Sequence, residues 1–86
     1  MQFQYTPRGV CSRGIIIDID DNDKSTVNKI RFIGGCAGNT QGVAALCEGR
    51  RIDEIVDRLE GIRCGMKGTS CPDQLAKALR AAKEQM

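Results

Sequence analysis

The stretch Gly14-Ile15-Ile16-Ile17-Asp18-Ile19-Asp20-Asp21-Asn22-Asp23-Lys24-Ser25-Thr26-Val27-Asn28-Lys29-Ile30-Arg31-Phe32-Ile33 decides the fold. From Gly14 to Asp20 the residues are β-branched and partly alternating. Ile15, Ile17 and Ile19 fall on one face and Ile16, Asp18 and Asp20 on the other, the period of a strand that buries one side. Asp21-Asn22-Asp23-Lys24-Ser25 has turn chemistry. Thr26 to Ile33 reads as a second strand, apolar at Val27 and from Ile30 to Ile33 apart from Arg31. The pair makes an antiparallel hairpin. Its acidic turn invites comparison with a calcium loop, which needs Gly at position 6 and Glu at position 12. Counting from Asp18 gives Asp23 and Lys29, and counting from Asp20 gives Ser25 and Arg31, so the turn is read as solvated rather than metal-binding.

On the N-terminal side, Phe3 to Thr6 alternates weakly, with Phe3 and Tyr5 against Gln2 and Gln4. Pro7 and Gly9 then break the run, as expected of a short edge strand. On the C-terminal side the period changes to that of helices. Thr40 to Glu48 places Val43, Leu46 and Cys47 on a shared face, and Gly49 ends it. Arg51 to Glu60 has Ile52, Ile55, Val56 and Leu59 at core spacing, with Asp53, Glu54, Asp57 and Arg58 outside, and Gly61 closes it. From Gln74 onward Leu75, Ala78, Leu79 and Ala82 fall at i, i+3, i+4 and i+7. The expected architecture is α+β, a small antiparallel sheet of about three strands covered on one face by three helices, in one domain over residues 1–86.

Bulk composition bounds the function. A chain of 86 residues buries only about 60% of its unfolded surface, so the core is modest. With two Phe, one Tyr and no Trp it is left to Ile, Val, Leu and Ala, and a base-stacking surface is not expected. A net charge of +2 with mixed signs carries no footprint for DNA or RNA. Neither a signal peptide nor an apolar run long enough for a membrane span is visible, so a cytoplasmic protein is expected. In that reducing setting an odd count of five cysteines favours metal binding or thiol chemistry over a disulfide scaffold.

Cys47 lies on the apolar stripe of its helix and reads as a small core residue. The other four, Cys11, Cys36, Cys64 and Cys71, lie in loops beside Gly or turn residues. In Cys64-Gly65-Met66-Lys67-Gly68-Thr69-Ser70-Cys71-Pro72-Asp73 the second thiol stands at the mouth of the last helix. There Ser70-x-x-Asp73 reads as a capping box and Pro72 suits the first turn. Free N–H groups and the helix dipole favour an anion at that end, so Cys71 is expected to work as a thiolate. With no histidine in the chain, a structural zinc needs these thiolates or a carboxylate such as Asp73, and an iron–sulfur cluster wants the same soft ligands. The spacings are not those of a zinc ribbon, so only the fold can assemble Cys11, Cys36, Cys64 and Cys71. One alternative is a thiol–disulfide redox protein, with Cys71 attacking and Cys64 resolving. Another is a nucleotide-binding module whose anion nest comprises Gly34, Gly35, Gly38, Asn39 and Thr40, although neither common phosphate-loop motif is present.

Thr69-Ser70-Cys71-Pro72-Asp73 resembles the signature pentapeptide of the TSCPD domain family. Gly34-Gly35-Cys36-Ala37-Gly38-Asn39-Thr40 and Gly61-Ile62-Arg63-Cys64-Gly65 look like the rest of its small stand-alone members. That domain also occurs at the C-terminus of some adenosylcobalamin-dependent ribonucleotide reductases. The resemblance therefore implies a role beside ribonucleotide reduction, or with another redox or metal-handling protein, but not a complete reductase in so short a chain. A fainter similarity runs to U-type iron–sulfur cluster scaffold proteins. It implies the same order of elements and places Cys11, Cys36 and Cys71 at the three ligand positions. The scaffold's Asp near its first Cys is replaced here by Ser12-Arg13 and the His before its last Cys by Ser70, and Cys64 is expected to supply the missing ligand.

Overall fold

In the computed structural model, residues 1–10, 12–34, 37–63 and 68–86 are described, with backbone alone at 37–39. The elements run β1 (Gln2–Tyr5), β2 (Ser12–Ile19), β3 (Val27–Gly34), α1 (Ala37–Cys47), α2 (Ile52–Leu59) and α3 (Cys71–Gln85). The strands form one antiparallel sheet in the order β1-β2-β3, so the α+β architecture expected from the hairpin is present. Phe3 pairs with Ile17 and Tyr5 with Ile15, which puts the short β1 on an edge.

Ile15, Ile17 and Ile19 are fully buried, as their alternation requires. They share one hydrophobic cluster with Val27 and Ile30 from β3, Ala44 and Cys47 from α1, Ile52, Ile55 and Val56 from α2, and Leu75, Leu79 and the buried alanines of α3. The hairpin pairing shifts register twice, and both shifts matter. Asp18 pairs with Lys29 but Ile19 pairs with Val27, so Asn28 is an extra residue; Val27 and Ile30, three apart, therefore both reach the core. Ser12 pairs with Gly34 but Gly14 pairs with Ile33, so Arg13 is extra and Ser12 turns inward, where it is 3% exposed.

The turn between β2 and β3 is ordered by its own chemistry. The Asp23 carboxylate accepts from the backbone N–H groups of Ser25 (2.8 Å) and Thr26 (3.0 Å) and from the Thr26 hydroxyl (2.6 Å). Those bonds, the Thr26 hydroxyl first, hold the Asp23 carboxyl below its ordinary pKa. Beyond the turn, the connector from α1 to α2 runs beside the start of β3. Gly49 N–H donates to Val27 C=O at 2.7 Å and Val27 N–H to Arg50 C=O at 2.8 Å.

One expected core residue is misplaced. Leu46 does not share the buried face of α1 with Cys47 but is 72% exposed. The helix is seated by Thr40, Ala44 and Cys47, all buried, and two residues from Ala44 lies about 160° away around the axis. The first helix also begins at Ala37 rather than at Thr40, taking Gly38 and Asn39 into its first turn. Among the described residues no helix is long and apolar enough to cross a membrane.

Candidate functional site

The start of α3 is built by side chains that cap the helix and tie it to two other segments. Ser70 is the N-cap, with extended backbone angles (φ −152°, ψ 171°), and Pro72 occupies the first turn. The Ser70 hydroxyl accepts from the Asp73 N–H at 3.2 Å and donates to the Ile62 carbonyl at 2.6 Å. One hydroxyl thus caps α3 and holds the segment after α2.

The second half of the expected capping box is replaced. The Asp73 carboxylate accepts from the Gly61 N–H at 2.7 Å and from the Thr69 hydroxyl at 2.5 Å. Asp is one methylene shorter than the Glu of a standard box, and here the end of α2 brings Gly61, with φ 89°, within its reach. Burial, the largest single influence on Asp73, opposes ionisation. The hydrogen bonds from Thr69 and Gly61, with the charges of Lys77 and Arg63, outweigh it and leave the carboxyl below its ordinary pKa. Asp73, entertained from the sequence as a ligand, thus has both carboxylate oxygens engaged, one holding α3 to the end of α2 through Gly61 and the other bracing the lead-in to α3 through Thr69.

Gln74 extends the network to the N-terminal loop. Its side-chain N–H donates to the Thr69 hydroxyl oxygen at 2.9 Å, and its side-chain carbonyl accepts from the Arg8 N–H at 3.0 Å. Gly9, with φ 73°, lies so close that a β-carbon there would stand 3.2 Å from the Thr69 methyl. Asp73 and Gln74 are each 4% exposed, and no buried side-chain polar atom lacks a partner among the described residues. Sequence reasoning missed Gln74 and Ser12; the polar run at the helix mouth was the available signal for Gln74.

Within Thr69-Ser70-Cys71-Pro72-Asp73, then, Thr69, Ser70 and Asp73 fasten the helix start and Pro72 fits its first turn. Cys71 is the member that this fastening does not use. It is half-buried, and its Sγ lies 3.2 Å from the Ser12 Oγ. Ser12 directly follows Cys11 in sequence and faces Gly34, two residues before Cys36. Ile62, fastened by Ser70, stands two residues before Cys64.

Cys11, Cys36 and Cys64 lie outside the described residues, and so do the Cys64–Cys71 redox pairing and Gly35 of the anion nest. Gly34, with φ 78°, ends β3, Gly38 and Asn39 lie in the first turn of α1, and Thr40 is buried in that helix. Among the described residues no three Cys, Asp or Glu side chains stand together as a metal site requires. Cys47 is a core residue as expected, 6% exposed, and burial pushes its thiol pKa up against a small opposing effect of Arg50.

Comparison with known families adds the context for this arrangement. The family model described as the TSCPD domain matches residues 1–83 of the 86-residue chain. No curated protein and no solved structure matches. The chain belongs to the TSCPD domain family.

Proposed function

We propose that this TSCPD-domain protein is a small thiolate metal-binding module in which Cys71, with Cys11, Cys36 and Cys64, holds zinc or an iron–sulfur cluster. The observation that carries the reading is the Ser12–Cys71 contact at 3.2 Å, because Ser12 directly follows Cys11 and pairs with Gly34, two residues before Cys36. The Ser70–Ile62 bond holds Ile62, two residues before Cys64, at the start of α3. The donor chemistry fits: a half-buried thiol at a helix N-terminus, beside a hydroxyl able to donate to sulfur, suits a soft thiolate ligand.

Bound zinc would supply a cross-link among four loops, and a cluster would supply electron transfer or cluster delivery. The chain's own part is to present the thiols: Ser70 and Asp73 fix the helix start, and the register shift at Arg13 turns Ser12 toward Cys71. The module is proposed to serve a ribonucleotide reductase or another redox or metal-handling protein, in keeping with where this domain occurs in the family.

The test is metal and sulfide content with an absorption spectrum, on protein purified without oxygen. The expected result is either about one zinc per chain in colourless protein, or iron and sulfide with visible absorption. Either signal is expected to be lost in Cys71→Ser. Metal-free protein that also takes up no added zinc or iron, with Cys64 and Cys71 forming a reversible disulfide, would replace this reading with the redox one.

A further inference from the structure

We propose that Ser12 is a positioning residue for the Cys71 sulfur, its hydroxyl donating a hydrogen bond that fixes where the sulfur's lone pairs point. The inference rests on the reading of Cys71 as a metal-binding thiolate and adds a residue to it. Three observations carry it. The Oγ–Sγ separation is 3.2 Å, a hydrogen-bonding distance for sulfur. Ser12 is 3% exposed, so water has little access to take its place. The register shift at Arg13 is what turns Ser12 inward; without the extra residue, strand alternation would put Ser12 on the face opposite Ile15 and Ile17.

The direction of the bond follows from the chemistry. In a protonated thiol either partner can donate. A sulfur bound to a metal carries no proton, so the serine hydroxyl must be the donor and its single hydrogen is committed to that sulfur. Such a bond restrains the sulfur's rotation and supports the charge that remains on it. Outer hydrogen-bond partners of this kind typically change metal affinity by about 10–100-fold when removed. Ser12 touches the metal in neither case; it acts through Cys71.

The test is an anaerobic titration of the full, metal-free chain with cobalt(II), followed by sulfur-to-cobalt charge-transfer absorption. Wild type is expected to develop the band. Ser12→Ala is expected to weaken cobalt(II) binding by about 10-fold or more, and Ser12→Thr, which keeps the hydroxyl, to restore most of it. Ser12→Val, close to threonine in shape but without the hydroxyl, is expected to behave as the alanine variant. Circular dichroism and melting of the metal-free forms separate this from loss of fold, and the Thr–Val comparison carries the test if the alanine variant is unstable. Equal cobalt(II) affinity in wild type, Ser12→Ala and Ser12→Val would overturn the inference. Absence of a thiolate band in wild type would instead overturn the metal-binding reading beneath it.

Discussion

Ser70 serves two segments with a single hydroxyl, accepting from α3 and donating to the chain after α2. Ser70→Ala is expected to lower stability by about 1–2 kcal/mol, measured by chemical denaturation, because both a cap and a bond to a carbonyl are lost. Asp73 adds a pH dependence whose sign follows from its lowered pKa. A carboxyl that ionises more readily when folded stabilises the fold at all pH values above its unfolded pKa. That contribution fades as pH falls through the folded value, below about pH 4. Asp23, Asp53 and Glu60 are also lowered, but they are exposed and contribute little. The difference in melting temperature between wild type and Asp73→Asn is therefore expected to be full near neutrality and to shrink below about pH 4. A difference that stayed constant down to pH 2 would show that the charge on Asp73 does not matter. Gly9→Ala is expected to destabilise by about 1 kcal/mol or more, since a side chain at φ 73° is strained and its β-carbon crowds Thr69.

At the scale of the elements, the faces of β2, α2 and α3 were legible in the sequence because each buries a stripe at its own period. Ile15, Ile17 and Ile19 alternate, and Leu75, Ala78, Leu79 and Ala82 keep helical spacing into the same core. The face of α1 was legible only in part: Cys47 lies in the core and Val43 packs against it, but Leu46 does not. Its stripe is weak, and it is seated by Thr40, Ala44 and Cys47, small or polar residues that hydropathy undervalues beside Leu46. Leu46→Glu is accordingly expected to change stability by no more than about 0.5 kcal/mol, whereas Leu79→Ala should cost about 2–5 kcal/mol. Parallel denaturant melts of the two variants check this; a large loss from Leu46→Glu would mean that its side chain is covered. The register shift at Arg13 was also hidden, because an extra residue in a strand leaves no mark on composition. It is nonetheless what sends Ser12 to the helix side. The ion pairs Arg80–Glu60 and Lys83–Asp53 join α3 to α2 across the surface and, being exposed, are minor beside the apolar seam.

At the scale of the whole molecule, the fastening runs through long-range bonds that local pattern cannot foretell. Gly61 meets Asp73 twelve residues away, and Arg8 meets Gln74 across 66 residues. The sequence marked Cys71 as special and joined it to Cys11, Cys36 and Cys64 only as a set that a fold would have to assemble. What the fold adds is that Ser12 and Ile62, beside Cys11 and two positions before Cys64, are bonded at the start of α3, and that Gly34, two positions before Cys36, pairs with Ser12. A metal that binds only the folded chain would stabilise it by an amount that grows with the logarithm of free metal relative to its Kd, so a chelator is expected to lower the melting temperature.

The most direct measurement is site-resolved alkylation of the native protein by mass spectrometry, before and after a chelator. Cys47, buried in the core, is the internal control and should stay slow in both states while the fold persists. The expected result is that Cys11, Cys36, Cys64 and Cys71 are protected together and become reactive together once metal is removed. Immediate alkylation of Cys71 in the untreated protein, with no change on chelation, would contradict it.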